Sequence, residues 1–398
     1  MEIRPILSTL LRNRVGATLI ALQIALTMAV VINSVFIILE HRETMKQPTG
    51  VDAEHLIVVS VADVGTDLDV ESIARDDLDR LLAIDGVDSA TKISTMPLSN
   101  SGSNSSYRAS DDDDAPSTAI AYYETGYLGL KTLGIELTAG RWFEESEIVY
   151  DPDDGVPPKH AVVTEKTAEN LFGDENPVGK VFYDATGNGT EIIGVVKTLS
   201  RPWYNWGDFY ATMLLPHVHL NHQWVVRVDP ARRDALLEPV ADALREASLD
   251  RLVGTPRTHS EIIGRTYQRD VAMNRMLTVV MTLVVIITGL GVVGLASFSV
   301  AQRRKQVGTR RAIGATRFHI LRYFLVENWL VTTGGIILGL VLSFSINHFL
   351  VTRYEMPKLD PVFLPAVILG LWGIGLLATF GPARNAMAVD PAIATRNI

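Results

Sequence analysis

The sequence predicts an α-helical membrane protein with four transmembrane helices in a 1+3 arrangement and one large extracytoplasmic α+β domain. Three observations predict it. Four long apolar runs are almost free of charge. The first is separated from the other three by residues 40–275. The charge is divided unevenly: 40–275 holds 40 acidic and 22 basic residues, and the rest of the 398-residue chain holds 5 acidic and 14 basic.

Residues 1–14 carry Arg4, Arg12 and Arg14 and are expected to be cytoplasmic. The first span is expected over 15–39, VGATLIALQIALTMAVVINSVFIIL. A helix rises about 1.5 Å per residue, so roughly 20 residues cross the hydrocarbon core. A cleaved signal peptide is the alternative, but its apolar region runs to only about 7–15 residues. No small-x-small site follows this run, so it reads as a retained anchor. Ala17, Ala21, Ala25 and Ala29 recur every four residues, and Asn33 continues the row. Small residues at that spacing let helices approach closely, and Gln23 and Asn33 could hydrogen-bond across, so the row reads as a packing or dimer face.

Within 40–275, a βαβ-unit subdomain is expected over about 52–122 and 216–260. Its pieces are strands near 55–62, 87–95, 223–229 and 251–254, with helices at 71–84 and 233–248. Ile73, Leu78, Leu81 and Leu82 share one helical face, and Asp85-Gly86 turns the chain. An inserted β-rich subdomain is expected over about 123–215. It has strands near 160–163, 180–183 and 190–197, a helix over 165–172 behind a Thr164 N-cap, and frequent glycine. The polar stretch SNSGSNSSYRASDDDDAPST (99–118) reads as a surface loop. Asp111 to Asp114 lack the ligand spacing of a calcium loop.

This region offers little chemistry. GDENPVGKV (173–181) resembles a phosphate-binding loop, but five residues separate its glycines and Val181 follows Lys180, where Ser or Thr must hold Mg²⁺. His217, His219 and His222 could bind a metal, but no carboxylate or cysteine stands near them in sequence, so no metal site is expected. The chain has no cysteine, which excludes disulfides and thiol nucleophiles. No G-x-S-x-G elbow is present. No catalytic site and no cofactor site is expected. The aromatic cluster Trp203, Tyr204, Trp206, Phe209 and Tyr210 reads either as core packing or as a contact for an external partner.

The remaining spans are expected at 276–300, 324–350 and 362–380, with a short external loop at 351–361 and a cytoplasmic tail at 381–398. Gly335 and Gly339 repeat the small-residue spacing, and Gly291 and Gly294 suggest a close approach or a flexible point. Glu327 is the one acidic residue within these spans. Basic residues cluster at 1–14, in 301–323 and in the tail at Arg384 and Arg396. Short basic loops stay cytoplasmic, so both termini are placed inside and 40–275 outside; Arg353 and Lys358 depart mildly from that rule.

The stretch QRRKQVGTRRAIGATRFHILRY (302–323) carries seven Lys or Arg and no acid. A short surface helix is expected from Val307 to Ile313, ended by Gly314, with Thr316 capping the helix that follows. Arg303, Arg304 and Lys305 are expected among lipid head groups. Head-group contact does not explain the compact GTRRAIGATR between two glycines.

Here the sequence resembles the permease family that includes FtsX, LolC, LolE and MacB, whose members often read R-x-x-E-I-G-I-R-R-A-L-G-A-x-R before the third helix. Gly308, Arg310, Arg311, Ala312, Ile313, Gly314, Ala315 and Arg317 match it. GPARNAMAVDPAIATR (381–396) is similar to the family's P-A-R-x-A-x-x-x-D-P-x-x-x-L-R ending. YLGLKTLGIELTAGRWF, NLFGDENPVGKVF and EIIGVVK resemble MacB-type external domains.

The resemblance implies a non-catalytic permease subunit of a MacB-like ABC transporter in the bacterial inner membrane, with its large domain in the periplasm. The external βαβ subdomain would be ferredoxin-like. A cytoplasmic ABC ATPase, expected on a separate chain and binding ATP and Mg²⁺ itself, would dock on residues 307–317. Val307 to Arg317 would form the coupling segment, with Arg310 and Arg311 as polar contacts. Further implied partners are a second permease subunit, a periplasmic adaptor, an outer-membrane channel and membrane lipids; nucleic acid is not one. The family's acid before the motif is Gln306 here, which favours a non-identical second permease that keeps it. Efflux is the leading function; an FtsX-like signal relay to a periplasmic hydrolase or sensor, or lipoprotein extraction as in LolC and LolE, are the alternatives.

Overall fold

The computed structural model describes residues 14–65, 68–112, 114–151, 157–354 and 361–388. The expected N-terminal stretch up to residue 13, most of the 351–361 loop, Asp113 and the tail from 389 lie outside the described residues. The chain divides into two compact units, Met1–Glu43 with Asp270–Ile398, and Thr44–Arg269.

The elements follow in chain order. Helix α1 (Arg14–Lys46) comes first. Then come β1 (Leu56–Val59), β2 (Val61–Asp63), α2 (Val70–Leu82), β3 (Val87–Ile93), β4 (Ser103–Arg108), β5 (Ser117–Glu124) and α3 (Gly129–Leu133). They are followed by β6 (Leu137–Gly140), β7 (Val149–Tyr150), β8 (His160–Thr164), α4 (Glu165–Phe172), β9 (Val181–Tyr183) and β10 (Gly189–Val196). Next are β11 (Thr212–Leu215), β12 (His217–Val218), β13 (Gln223–Val228), α5 (Arg233–Glu246), β14 (Arg251–Val253), β15 (Arg257–Thr258) and α6 (His259–Thr266). Helices α7 (Gln268–Gln302), α8 (Arg304–Ala312), α9 (Arg317–Tyr354) and α10 (Leu364–Met387) complete the described chain.

The Thr44–Arg269 unit is built on two main sheets. The smaller has the order β15-β1-β13-β3, with every pair antiparallel. Strands β1 and β3 therefore run parallel on either side of β13, joined through α2, which is a split β–α–β unit. Its alternation explains the burial: Ile57 and Val59 of β1 and Trp224 and Val226 of β13 form one core with Leu81 of α2 and Leu236, Val240 and Leu244 of α5. Asp69 caps α2 by accepting from the Ser72 N–H at 3.1 Å. At the edge of this core Arg251 bridges Asp63 at 2.6 Å and Asp77 at 2.7 Å, all three side chains almost fully buried.

The larger sheet has the order β6-β10-β8-β11-β5-β4-β9, and β9 also pairs with β10. The β10–β9 pairing closes β10, β8, β11, β5, β4 and β9 into a ring, and β6 is added at the edge on β10. Ile120, Val163, Phe182, Ile192 and Met213 pack its interior. Thr164 caps α4, accepting from the Thr167 N–H as its sequence position suggests.

The placement of β4 and β5 corrects two expectations. Ser103 to Arg108 pair in continuous antiparallel register with Tyr122 to Ser117, so 99–118 is not simply a loop. Both strands belong to the larger sheet, so the change of sheet falls before Ser103 rather than near 123. A strand held by its backbone ladder needs no apolar side chains, and most of β4 is exposed or half-buried serine and asparagine.

In the other unit, four helices among the described residues are long and apolar enough to cross a membrane: Arg14–Lys46, Gln268–Gln302, Arg317–Arg353 and Pro361–Met387. Half of the most apolar stretch of α1 is buried within the chain, against 11% for α7, so α1 is the inner helix. The side chain of Gln23 donates to the Ile287 carbonyl at 3.1 Å, and the Thr27 and Thr288 hydroxyls lie 2.6 Å apart, tying α1 to α7. On its α9 side, a Cβ placed on Gly335 would stand 2.8 Å from the Ala21 carbonyl oxygen, and one on Gly339 2.7 Å from Met28 Cβ and 3.0 Å from the Ala25 carbonyl oxygen. The 2.8 and 2.7 Å distances are closer than real Cβ contacts, so these positions require glycine.

That geometry bears on the alanine row. Ala21 and Ala25 are occupied by the glycines of α9 within the same chain, and Ala25, Ala29 and Asn33 are buried. Asn33 donates to the Ala29 carbonyl of its own helix at 2.9 Å. The small-residue spacing is therefore used inside the chain. Ala17 is half-buried at the start of α1. Gly291 faces the Gln23 side chain, whereas Gly294 faces open space.

Candidate functional site

The candidate site is the turn between α7 and α9. Helix α8 begins at Arg304, three residues earlier than expected, and ends with a full glycine stop. The Gly314 N–H donates to the Arg311 carbonyl at 3.1 Å, and the Ala315 N–H reaches back to the Arg310 carbonyl at 3.0 Å. Gly314 has φ +104°, a conformation that a Cβ disfavours. Thr316 then caps α9, its hydroxyl accepting from the His319 N–H at 3.2 Å. The sequence encodes this stop and restart in four residues.

One face of α8 is buried. Val307 packs with Ile320, Phe324, Ala383 and Ala386, which seats the helix on α9 and α10. Gly308 is buried beside it. Arg303, just before α8, is not a head-group residue as expected: it is 9% exposed, and its Nη1 contacts both carboxylate oxygens of Glu327, at 2.9 and 2.8 Å. A guanidinium removed from water needs such a partner, and Glu327 supplies it from one of the helices that α8 packs on.

The outer face is basic with an apolar tip. Arg304, Lys305, Arg310 and Arg317 are exposed, as are Thr309, Ala312, Gly314 and Thr316. Ile313 is 81% exposed. Arg310 stacks over the Tyr323 ring with its guanidinium carbon 5.0 Å from the centroid. Arg311 is half-buried and donates to the Met387 carbonyl at 3.2 Å, so it ties α8 to the end of α10. The two arginines paired in sequence thus face different surroundings.

The other sequence candidates fall elsewhere. Lys180 of the phosphate-loop look-alike is held by Glu175 and lies over the Phe172 ring. The aromatic cluster folds around buried Arg201, which donates to the Ala211 and Trp206 carbonyls. Trp203 meets Trp206 edge-on at 6.1 Å, Tyr204 packs on Tyr267, and Phe209 packs on Tyr210. Trp206 remains half-exposed. Local packing accounts for most of this cluster.

The histidines do have a carboxylate neighbour, which the sequence separation concealed. Glu124, the last residue of β5, has carboxylate oxygens 3.6 Å from His217 Nδ1, 3.8 Å from His219 Nε2 and 3.4 Å from His222 Nε2. Burial pushes the Glu124 carboxyl up, but the imidazoles of His217, His222 and His219 beside it outweigh burial and hold it at about 2. Burial pushes His222 below the usual histidine value, despite its Glu124 partner.

Four candidate membrane helices, a large β-rich domain between the first and second, and a capped basic turn before the third are the features of a membrane subunit with a large extramembrane domain. Residues 17–247 match the model of the MacB-like periplasmic core domain, and residues 278–391 match that of the FtsX-like permease C-terminal region. The chain belongs to this MacB/FtsX-type family of ABC transporter permeases. It is 27% identical over 312 residues to a macrolide export ATP-binding/permease protein MacB of Neisseria meningitidis, covering 75% of this chain and 46% of that one. A MacB of Vibrio parahaemolyticus is 27% identical over 341 residues, covering 81% of this chain and 48% of the relative. The chain thus spans about half the length of these relatives. Among solved structures, the periplasmic region of MacB from Actinobacillus actinomycetemcomitans aligns at 16% identity and a TM-score of 0.35, covering 57% of this chain and 98% of that one.

Proposed function

We propose that the chain is the permease subunit of a MacB-like transporter. In this reading a cytoplasmic ABC ATPase on a separate chain grips α8, and its cycle moves the periplasmic domain to drive efflux through an adaptor and an outer-membrane channel. Both termini lie in the cytoplasm, and a second permease, non-identical and carrying the acid that Gln306 replaces, completes the pair.

The observation that carries this reading is the construction of α8. Its inner face is seated by Val307, the Arg303–Glu327 pair and the Arg311 contact with Met387. A push on the outer face therefore passes into α9 and α10 rather than bending a free loop. That outer face combines an exposed apolar tip, Ile313, with Arg310 and Arg317 on either side. An apolar anchor ringed by charge suits an acidic groove on a partner.

The test is ATPase stimulation by the purified permease. Ile313→Asp combined with Arg310→Glu leaves the buried contacts in place and is expected to abolish stimulation while membrane insertion and melting temperature stay unchanged. Full stimulation by that variant would remove α8 as the coupling element.

A further inference from the structure

We propose that Glu124, His219 and His222 form a binding site for a divalent transition-metal ion of the zinc class, at the junction of the two sheets of the Thr44–Arg269 unit. This goes beyond the transport reading and does not depend on it.

The position comes from the fold. Glu124 ends β5 of the larger sheet, and His222 immediately precedes β13 of the smaller one. His217 and His219 lie on the connection between them. One donor atom from each of Glu124, His219 and His222 lies within 4.8 Å of the others.

The distances favour an ion over direct hydrogen bonds. Charge-assisted N–H···O bonds close to about 2.7–2.9 Å. The three imidazole-to-carboxylate separations are 3.4, 3.6 and 3.8 Å. A tetrahedral zinc ion with bonds of about 2.0–2.1 Å holds its ligands about 3.3–3.4 Å apart. His222 Nε2 and His219 Nε2 approach different oxygens of Glu124, at 3.4 and 3.8 Å, and the three donor atoms lie within 4.8 Å of one another, so side-chain rotation must close them to ligand spacing. Two imidazoles and one carboxylate make a borderline donor set that suits zinc or its first-row neighbours and leaves a position for His217 or water.

The surroundings agree. The other nitrogen of His219, Nδ1, lies 3.3 Å from Asp151 Oδ1, the carboxylate–histidine arrangement that orients metal-bound imidazoles. His222 Nδ1 accepts from the His219 backbone N–H at 3.2 Å, which places the ring proton on Nε2, toward Glu124. Loading through Nε2 moves that proton to Nδ1 and displaces the His219 N–H. The ring stays neutral and no net proton is released. The tight turn from His219 to His222, closed by the His222 N–H to the His219 carbonyl at 3.1 Å, must therefore rearrange as the ion enters. The ion would couple that turn to the end of β5.

The test uses the tag-free full chain in detergent, stripped of metal, with zinc titrated against a chromophoric chelator. One equivalent per chain is expected. Glu124→Gln and His222→Asn are expected to lose it, and Asp151→Asn to weaken it by about tenfold or more. His160→Asn, a half-buried histidine on Glu147, is expected to keep it. Because Glu124 and His222 are buried, His219→Gln decides the case if those variants fail to fold: it is one-third exposed and is expected to weaken zinc at least about tenfold, with the metal-free melting temperature unchanged. Zinc is expected to raise the melting temperature of the wild type and not of His219→Gln. Wild-type affinity weaker than about 100 μM, or an equivalent that survives His219→Gln, would overturn the site.

Discussion

Breaking the Arg303–Glu327 pair is the sharpest perturbation of the elbow. Both side chains are 11% exposed, and one guanidinium nitrogen contacts both carboxylate oxygens. Glu327→Ala leaves the arginine buried without its counter-ion. Such an unpaired charge costs about 3–5 kcal/mol, whereas replacing both partners by apolar side chains is often neutral. Taking the low end, and about 2–4 °C per kcal/mol for a unit of this size, Glu327→Ala lowers the melting temperature of the membrane unit by roughly 6–12 °C. Arg303→Met with Glu327→Met recovers most of that loss. The assay is thermal unfolding of the purified chain in detergent, read together with stimulation of the partner ATPase. The single variant is expected to lose both stability and stimulation, because α8 loses its seat; the double variant regains both. If Glu327→Ala melts with the wild type, or if the double variant falls as far as the single one, the pair does not hold α8.

Two further outcomes follow from the packing. Gly339→Leu places a side chain where even a Cβ would stand 2.7 Å from Met28, so it is expected to destabilise the membrane unit by at least about 1–3 kcal/mol; an unchanged melting temperature would contradict the α1–α9 contact. His259 is fully buried with Nε2 2.9 Å from the Pro97 carbonyl, and burial pushes its pKa down to about 4. The unfolded chain then binds a proton near pH 6.5 that the folded chain resists, so this stability is complete above about 6.5 and falls as pH drops toward 4. Between pH 7.5 and 5 the loss is about 2 kcal/mol, and His259→Asn is expected to flatten that slope in denaturant titrations; an identical slope would contradict it.

Local signals carried much of the fold. Charge-free length marked the four apolar helices, short apolar runs marked β1 and β13, the Asp85-Gly86 turn marked the return into β3, and Thr164, Gly314 and Thr316 marked element ends. Contacts between distant positions were hidden. Arg303 reads as a head-group residue until Glu327, on another helix, is beside it. The alanine row of α1 reads equally as a dimer face or an internal seam, because its partner glycines lie about 300 residues away. Glu124 lies far from His217 in sequence, so the three histidines showed no acid to complete a cluster. Strand β4 was hidden for another reason: its three serines and Asn104 give no apolar strand signal, and its pairing with β5 supplies the stability. The basic turn was identifiable by its motif, but the division of labour between Arg310, exposed, and Arg311, bound to Met387, required coordinates.

The central claim is that the Ile313 tip faces the cytoplasm, where an ATPase reaches it. The sequence contains no cysteine, so Ile313→Cys provides a single labelling site. The direct measurement is reaction of that thiol with a membrane-impermeant maleimide, in intact cells with a permeable outer membrane and again after the inner membrane is opened. No labelling before opening and full labelling after it is the expected result. Labelling of the intact cells would place the tip on the periplasmic side, out of reach of any ATPase.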